Sequence, residues 1–190
     1  DRLLHSPGGG GCGEEAAALL IECRGATPEL LKEQIDSVLK AIDDSGTPVI
    51  SKVEAEAFKH DPADFNVYWD MRKGLIPIVG GARETGTSML LEDVACATHK
   101  LGKMSKDLVA IFKKYGYYDA CLMGHALEGN LHLIFNQSFK TQKETKRFED
   151  LMYDICENVA QKHGGSLKAE HGTGRNVAPF VEMEWGTKAY

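Results

Sequence analysis

The chain has 190 residues, of which 43% are hydrophobic and 26% are charged, as in an average soluble globular protein. Its 28 acidic residues outnumber 22 basic ones, and the formal net charge of −6 argues against nucleic acid or an anionic membrane as the main partner. The length allows one domain with a substantial core and excludes a large multidomain enzyme.

The composition also bears on the cellular compartment. Five cysteines, an odd number without a C-x-x-C pair, are typical of reduced thiols in a cytosolic protein. No run reaches the roughly 18–20 apolar residues of a membrane span, and no basic-then-apolar leader opens the sequence. We therefore expect a cytoplasmic protein, or one held peripherally at the inner face of a membrane.

The first third predicts a lead-in followed by mixed secondary structure. Residues 1–15, with four consecutive glycines, are predicted to be a flexible lead-in or linker, and residues 16–190 one domain. An apolar run predicts a strand from Ala16 to Arg24. Thr27-Pro28 then predicts a helix that ends at Asp44-Ser45-Gly46, because threonine caps helices and proline suits their first position. With a second strand at Pro48–Ser51, this order is the front half of a ferredoxin-like unit.

The rest of the chain alternates helices and short strands. The predicted elements are a helix over Glu54–Arg72 with a break at Asp61-Pro62, a polar loop over Gly80–Thr87, a strand over Ser88–Ala97, a helix over Leu101–Tyr117, a hairpin within Gly124–Phe135 and a helix over Thr141–His163. This pattern predicts an α+β, ferredoxin-like fold with a largely antiparallel sheet and helices on one face. The other face is left for a partner domain.

The hairpin contains a candidate metal site. Apolar residues flank a turn-forming cluster, Glu128-Gly129-Asn130, and a hairpin with His125 opposite His132 brings two imidazoles to one face. Glu170 is a candidate third ligand. Two histidines and one glutamate with open positions are typical of a catalytic metal site. Spacing alone leaves open the alternative that both histidines are ordinary polar residues at strand ends, and it does not place Glu170 near the hairpin.

Several motifs together resemble a known family. They are Gly124-His125 with Gly129-Asn130-Leu131-His132, Glu170-His171-Gly172 with Gly174-Arg175, Met71-Arg72-Lys73-Gly74, Glu92-Asp93-Val94-Ala95, and Pro179 to Gly186. The chain from about Ala18 onward resembles the C-terminal domain of FAD-linked oxidases, the D-lactate, glycolate and D-2-hydroxyglutarate dehydrogenase group. The family commonly has Gly-Asp where this chain has Leu127-Glu128, a variant that resembles the branch with an additional iron–sulfur region.

The resemblance implies a function and roles for individual residues. It implies an FAD-dependent 2-hydroxy-acid dehydrogenase whose FAD-binding domain lies elsewhere in a longer polypeptide, so that the isolated fragment is expected to be inactive. A divalent metal, Zn or Mn, would be held by His125, His132 and Glu170, with His171 as the base that takes the hydroxyl proton. The expected contacts to the substrate's carboxylate are Arg72 and, as a second candidate, Arg83. Asn130 is expected to contact the flavin or substrate, or to hold the turn.

The expected partners are a small 2-hydroxy acid, the FAD-binding domain, and an iron–sulfur region or another electron-transfer partner. On residue chemistry alone Arg72 also fits a solvated surface position. Two other functional classes remain open at this stage. A metal-dependent hydrolase would use the same ligands to activate water, although the chain has no H-E-x-x-H motif. A ferredoxin-like ligand-binding module would bind no metal and perform no catalysis.

Overall fold

The computed structural model describes residues 17–46 and 58–190. The chain divides into two compact units, residues 1–75 and 76–190, and helix α2 crosses the boundary in sequence. The predicted lead-in over residues 1–15 and the predicted strand over Pro48–Ser51 lie outside the described residues.

In the first unit the predicted first helix is confirmed. Helix α1 covers Pro28–Asp44, and the Thr27 hydroxyl accepts a hydrogen bond from the Leu30 amide at 3.3 Å. The strand predicted from Ala16 to Arg24 is wrong, because residues 17–25 form neither helix nor strand. None of the described residues pairs with this segment, and a lone strand leaves its backbone N–H and C=O groups without sheet partners.

Helix α2 covers Pro62–Ala82 and is longer than the sequence predicted. It begins at the predicted break, where the Asp61 carboxylate accepts from the Ala63 amide at 2.8 Å. It then continues past Arg72, the predicted end, and passes through Pro77. The Arg83 guanidinium donates to the carbonyl of Gly80, which supplies a partner for a carbonyl of the last turn and so favours the later end.

The second unit contains a three-stranded antiparallel sheet with the order β1-β3-β2. The strands are β1 (Ser88–Ala95), β2 (Cys121–His125) and β3 (Asn130–Gln137). The helices are α3 (Leu101–Lys114), α4 (Gln142–Cys156), α5 (Gly174–Val177) and α6 (Val181–Trp185). The predicted α+β class and antiparallel sheet are confirmed.

Helix α4 begins and ends with recognisable local structure. Thr141 and Glu144 form a capping box, in which each side chain accepts from the other residue's backbone amide. At its other end the helix continues as a π-helical turn over Glu157–Lys162. The predicted helix over Thr141–His163 is therefore confirmed, with a change of helix type in its last turns.

Successive side chains of β3 point to opposite faces of the sheet. Leu131, Leu133 and Phe135 join one buried cluster with the inner faces of α3 and α4. The main helical members of this cluster are Met104, Leu108, Phe112, Leu151, Met152 and Ile155. The intervening positions, Asn130 and His132, therefore point to the opposite face of the sheet, and this face carries the candidate site.

Within residues 17–46 and 58–190, the structure has no helix long and apolar enough to cross a membrane.

Candidate metal-binding site

The hairpin between β2 and β3 brings two histidines together in a register that differs from the predicted one. His125 lies opposite Asn130, and His132 lies opposite Met123, so the predicted pairing of His125 with His132 is wrong. The connection is shorter than expected because residues 126–128 form a 3-10 turn and Gly129 adopts a left-handed conformation with φ +64°. His125 and His132 nevertheless share a face as diagonal neighbours, with ring centroids 5.5 Å apart.

Glu170 approaches this pair from a distant part of the chain. Its Oε1 atom lies 2.9 Å from His132 Nε2 and 3.4 Å from His125 Nε2. The possible ligand atoms of the three residues all lie within 4.8 Å of one another. The structure therefore brings together the three residues that the sequence analysis proposed as metal ligands.

The side chain of His171 also lies beside Glu170 and His132. Its Nε2 lies 3.6 Å from Glu170 Oε1, and its ring stacks on that of His132 with centroids 4.7 Å apart. Adjacent residues of an extended segment point in opposite directions, so both side chains reach the site only because the backbone bends here. Gly172, with φ +75°, directly follows.

Asp93 on β1 contacts both segments that carry the candidate ligands, and the sequence analysis assigned it no role. It lies opposite His132 across the sheet and is 3% exposed. Its Oδ1 lies 3.1 Å from His132 Nδ1 and accepts from Asn130 Nδ2 at 2.6 Å. Its Oδ2 accepts from the backbone amides of Ala169 at 3.0 Å and His171 at 2.8 Å.

These contacts also determine the charge of Asp93. Burial acts to raise the pKa of this carboxyl group, but the hydrogen bonds from the His171 amide, the Asn130 side chain and the Ala169 amide outweigh it. The pKa is therefore lowered, and the carboxylate is ionised at neutral pH. The sequence signal that could have pointed to Asp93 as a site residue was the Glu92-Asp93-Val94-Ala95 motif.

Asp93, His132 and His171 form a second group of possible metal ligands. This group is the poorer candidate, because the Asp93 oxygens already face four nitrogen groups and would have to give up hydrogen bonds to bind an ion. A hydrogen bond from His132 Nδ1 to Asp93 instead leaves Nε2 free on the side of Glu170 and His125. Two imidazole nitrogens and a carboxylate oxygen fit Zn or Mn.

The other predicted site residues are in three different environments. Arg72 belongs to the first unit, where it is half-buried on α2. Arg83 donates to the backbone carbonyls of Gly80, in the last turn of α2, and of Thr87, and it precedes the end of β1 that is remote from Asp93. Asn130 is buried beside the site and also donates to the carbonyl of Val94 at 3.1 Å.

A cavity of about 230 Å³ adjoins His171. It is lined by residues 91–93 of β1 and by residues 171–177, which include α5, together with Leu167. Glu92 is buried here and accepts from Asn176 Nδ2 at 2.6 Å. Burial raises the pKa of this carboxyl group, more than its hydrogen bond to Asn176 lowers it. The cavity provides polar space next to the proposed base.

Comparison with known sequences identifies the family. Residues 5–190 match the family described as FAD linked oxidases, C-terminal domain, and the chain belongs to this family. The predicted resemblance is confirmed.

Individual relatives are similar over most of the chain. Glycolate oxidase subunit GlcD of Bacillus subtilis is 29% identical over 170 residues, which are 88% of this chain and 33% of that protein. D-2-hydroxyglutarate–pyruvate transhydrogenase of Saccharomyces cerevisiae is 30% identical over 82% of this chain and 30% of its own length. D-lactate dehydrogenase of Anaerostipes hadrus is 25% identical, with coverage of 91% and 34%. The chain spans about a third of the length of these curated relatives.

Proposed function

We propose that this chain is the substrate-binding domain of an FAD-dependent 2-hydroxy-acid dehydrogenase of the D-lactate or D-2-hydroxyglutarate type. The observation that carries the proposal is the convergence of His125, His132 and His171 on a single oxygen of Glu170, at distances of 2.9 to 3.6 Å. The family and the names of its relatives support hydroxy acids as the substrate class. FAD would be held by an N-terminal domain of the same polypeptide and would supply the hydride acceptor.

In this proposal His125, His132 and Glu170 hold a divalent ion, Zn or Mn. Bound there, the ion supplies Lewis acidity toward the hydroxyl and carboxylate oxygens of the substrate. The three side chains fix where these oxygens sit, and the carboxylate of Glu170 lowers the net positive charge of the site. Because Glu170 is half exposed, the site is open to a small substrate on this side.

His171 is the proposed base. Oxidation of a 2-hydroxy acid to a 2-oxo acid removes the hydroxyl proton and transfers a hydride to the flavin from the carbon that carries the hydroxyl group. His171 Nε2 lies on the site side of its ring, close to Glu170, where it can accept the hydroxyl proton. Imidazole is well suited to this role near neutral pH.

The remaining assignments concern binding. Arg72 is proposed to bind the substrate's carboxylate through two hydrogen bonds, with Arg83 as the second candidate. Asn130 is proposed to contact the flavin or substrate, or to hold the turn through its hydrogen bonds to Asp93 and Val94. We further propose a cytoplasmic location, free or peripheral at the inner face of a membrane, and an iron–sulfur region or separate protein as electron acceptor.

The test uses the full-length protein that contains this chain. Reduction of a redox dye is followed with D-lactate, glycolate and D-2-hydroxyglutarate, before and after treatment with EDTA. We expect reduction that the chelator abolishes and added Zn²⁺ or Mn²⁺ restores. Activity that EDTA does not affect would support the dehydrogenase assignment and contradict the proposed metal site. The absence of reduction with every hydroxy acid would contradict the proposed function.

A further inference from the structure

The carboxylate of Asp93 connects the two segments that supply the proposed ligands. Its Oδ1 contacts β3 through His132 and Asn130, and its Oδ2 contacts the amides of Ala169 and His171. The residue is 3% exposed, so these nitrogen groups, rather than water, are its partners. One side chain thus holds the hairpin and a loop that follows it at a distance in sequence.

On the hairpin side, Asp93 faces the nitrogen of His132 that an ion on Nε2 would leave free. When Nε2 coordinates an ion, the hydrogen of the ring is on Nδ1, and Asp93 Oδ1 lies 3.1 Å away to accept it. Without an ion, Glu170 Oε1, 2.9 Å from Nε2, competes for a hydrogen on that nitrogen. The ring of His132 is therefore oriented with its ligand atom toward Glu170 and His125.

On the loop side, Asp93 holds the backbone on both sides of Glu170. The amides of Ala169 and His171 donate to the same oxygen, at 3.0 and 2.8 Å, so the loop is folded around this atom. The side chains of Glu170 and His171 are 51% and 39% exposed, so packing alone restrains them little. The two hydrogen bonds to Asp93 supply the restraint that packing does not.

We propose that Asp93 is the positioning residue that assembles this site, by holding the ring of His132 and the loop of Glu170 in one arrangement before an ion or substrate binds. The inference rests on the proposed function for the identity of the ligands. An alternative is that Asp93 merely satisfies nearby buried polar groups. The two differ because only a positioning role predicts that loss of the Asp93 carboxylate changes the tautomer of His132 and the metal affinity while the protein remains folded.

The first test compares metal binding by two variants of the full-length protein. In Asp93→Asn an amide NH₂ replaces one acceptor oxygen and meets nitrogen donors, so we expect affinity for Zn²⁺ or Mn²⁺ to fall by about 10- to 100-fold. Asp107→Asn is the matched control, because Asp107 also pairs with a buried histidine, His163, at 2.7 Å, and contacts no proposed ligand in the described residues. Titration calorimetry of the metal-free proteins gives the affinities, and circular dichroism checks folding.

The second test removes the competing carboxylate. Nitrogen-15 NMR of histidine-labelled, metal-free Glu170→Ala protein in mildly alkaline buffer shows which nitrogen of His132 carries the hydrogen. We expect Nδ1–H in Glu170→Ala and a mixture of tautomers when Asp93→Asn is added to it. Because the spectrum of Glu170→Ala is sufficient, this test still decides if the variants with Asp93→Asn fail to fold.

The outcomes separate this inference from the proposed function. Unchanged metal affinity in folded Asp93→Asn, or an Nε2–H tautomer of His132 in metal-free Glu170→Ala, would overturn the role of Asp93. A wild-type protein that binds neither ion would remove the metal from the proposed function. In that case the tautomer of His132 alone supports or refutes positioning by Asp93.

Discussion

The imidazole rings of His132 and His171 stack nearly parallel, with centroids 4.7 Å apart and an angle of 13° between their planes. In the proposed mechanism the ring of the base, His171, therefore stacks on the ring of a metal ligand, His132. Asp93 contacts the ring of His132 directly, whereas it contacts His171 only through the backbone amide, so the ring of His171 depends on the stack for its position. Substitutions at the two histidines should consequently have unequal effects.

Replacing His171 with alanine should abolish most turnover while leaving the metal in place. A positioned general base typically contributes about 10²- to 10⁴-fold to the rate, and we expect a loss of that size in kcat. Steady-state kinetics and metal analysis of the same preparation provide the measurement. Loss of the metal in His171→Ala would mean that His171 is a ligand and that the base is another residue.

Replacing His132 with alanine should remove both metal and activity, because the variant loses the ligand atom nearest Glu170 and the ring under His171. His125→Ala should also lose metal but should leave the His132–His171 stack intact. The metal content of each purified variant, measured by mass spectrometry, distinguishes residues that bind the metal from residues that do not. A full complement of metal in His132→Ala would contradict its assignment.

Gly129→Ala should destabilise the hairpin next to the site. At φ +64° a left-handed backbone costs an alanine about 1–2 kcal/mol, and the new Cβ would overlap the carbonyl oxygen of Cys96. Crowding of this kind adds about 1–3 kcal/mol. Gly116→Ala is the matched control, since Gly116 has φ +77° but open space around its Cβ position.

Urea denaturation of both glycine variants gives the comparison. We expect Gly129→Ala to lower the free energy of unfolding clearly more than Gly116→Ala, because only the former has the steric overlap. Equal losses would show that the hairpin end can shift to make room.

The Asp107 pair should stabilise the fold in a pH-dependent way. Hydrogen bonds from Lys162, and also from His163, lower the pKa of this carboxyl group from 3.8 to about 2. Because the folded pKa is lower than the unfolded one, the contribution is present above pH 3.8 and disappears as the pH falls to about 2. The difference in unfolding free energy between wild type and Asp107→Asn should therefore shrink over this range. A difference independent of pH would exclude an electrostatic origin.

Local signals in the sequence predicted the first helix and most of the second unit. The helix cap at Thr27 acts over three residues, and the apolar residues of β3, Leu131, Leu133 and Phe135, are visible in the sequence itself. The candidate ligands could also be proposed from the sequence, because the family motifs include His125, His132 and Glu170. What the sequence predicted well thus depends on short-range patterns or on recognised motifs.

The failures have a different physical origin. The register of the hairpin depends on the conformation of Gly129, which packs against Cys96 outside the hairpin. The apolar run before Arg24 resembles a strand, but strand formation depends on a partner that a single segment does not reveal. Asp93 makes its decisive hydrogen bonds with Ala169 and His171, and no spacing rule connects residues so far apart.

The proposed ligands differ greatly in exposure: the side chain of His132 is 6% exposed, whereas those of His125 and Glu170 are 44% and 51% exposed. An ion at this site would therefore have one buried ligand and two that face solvent. In the domain by itself, a chelator can approach from the exposed side without any unfolding of the sheet. Metal exchange should then be fast compared with global unfolding, and a protein stripped of its ion should keep its fold and reload on simple addition of the metal.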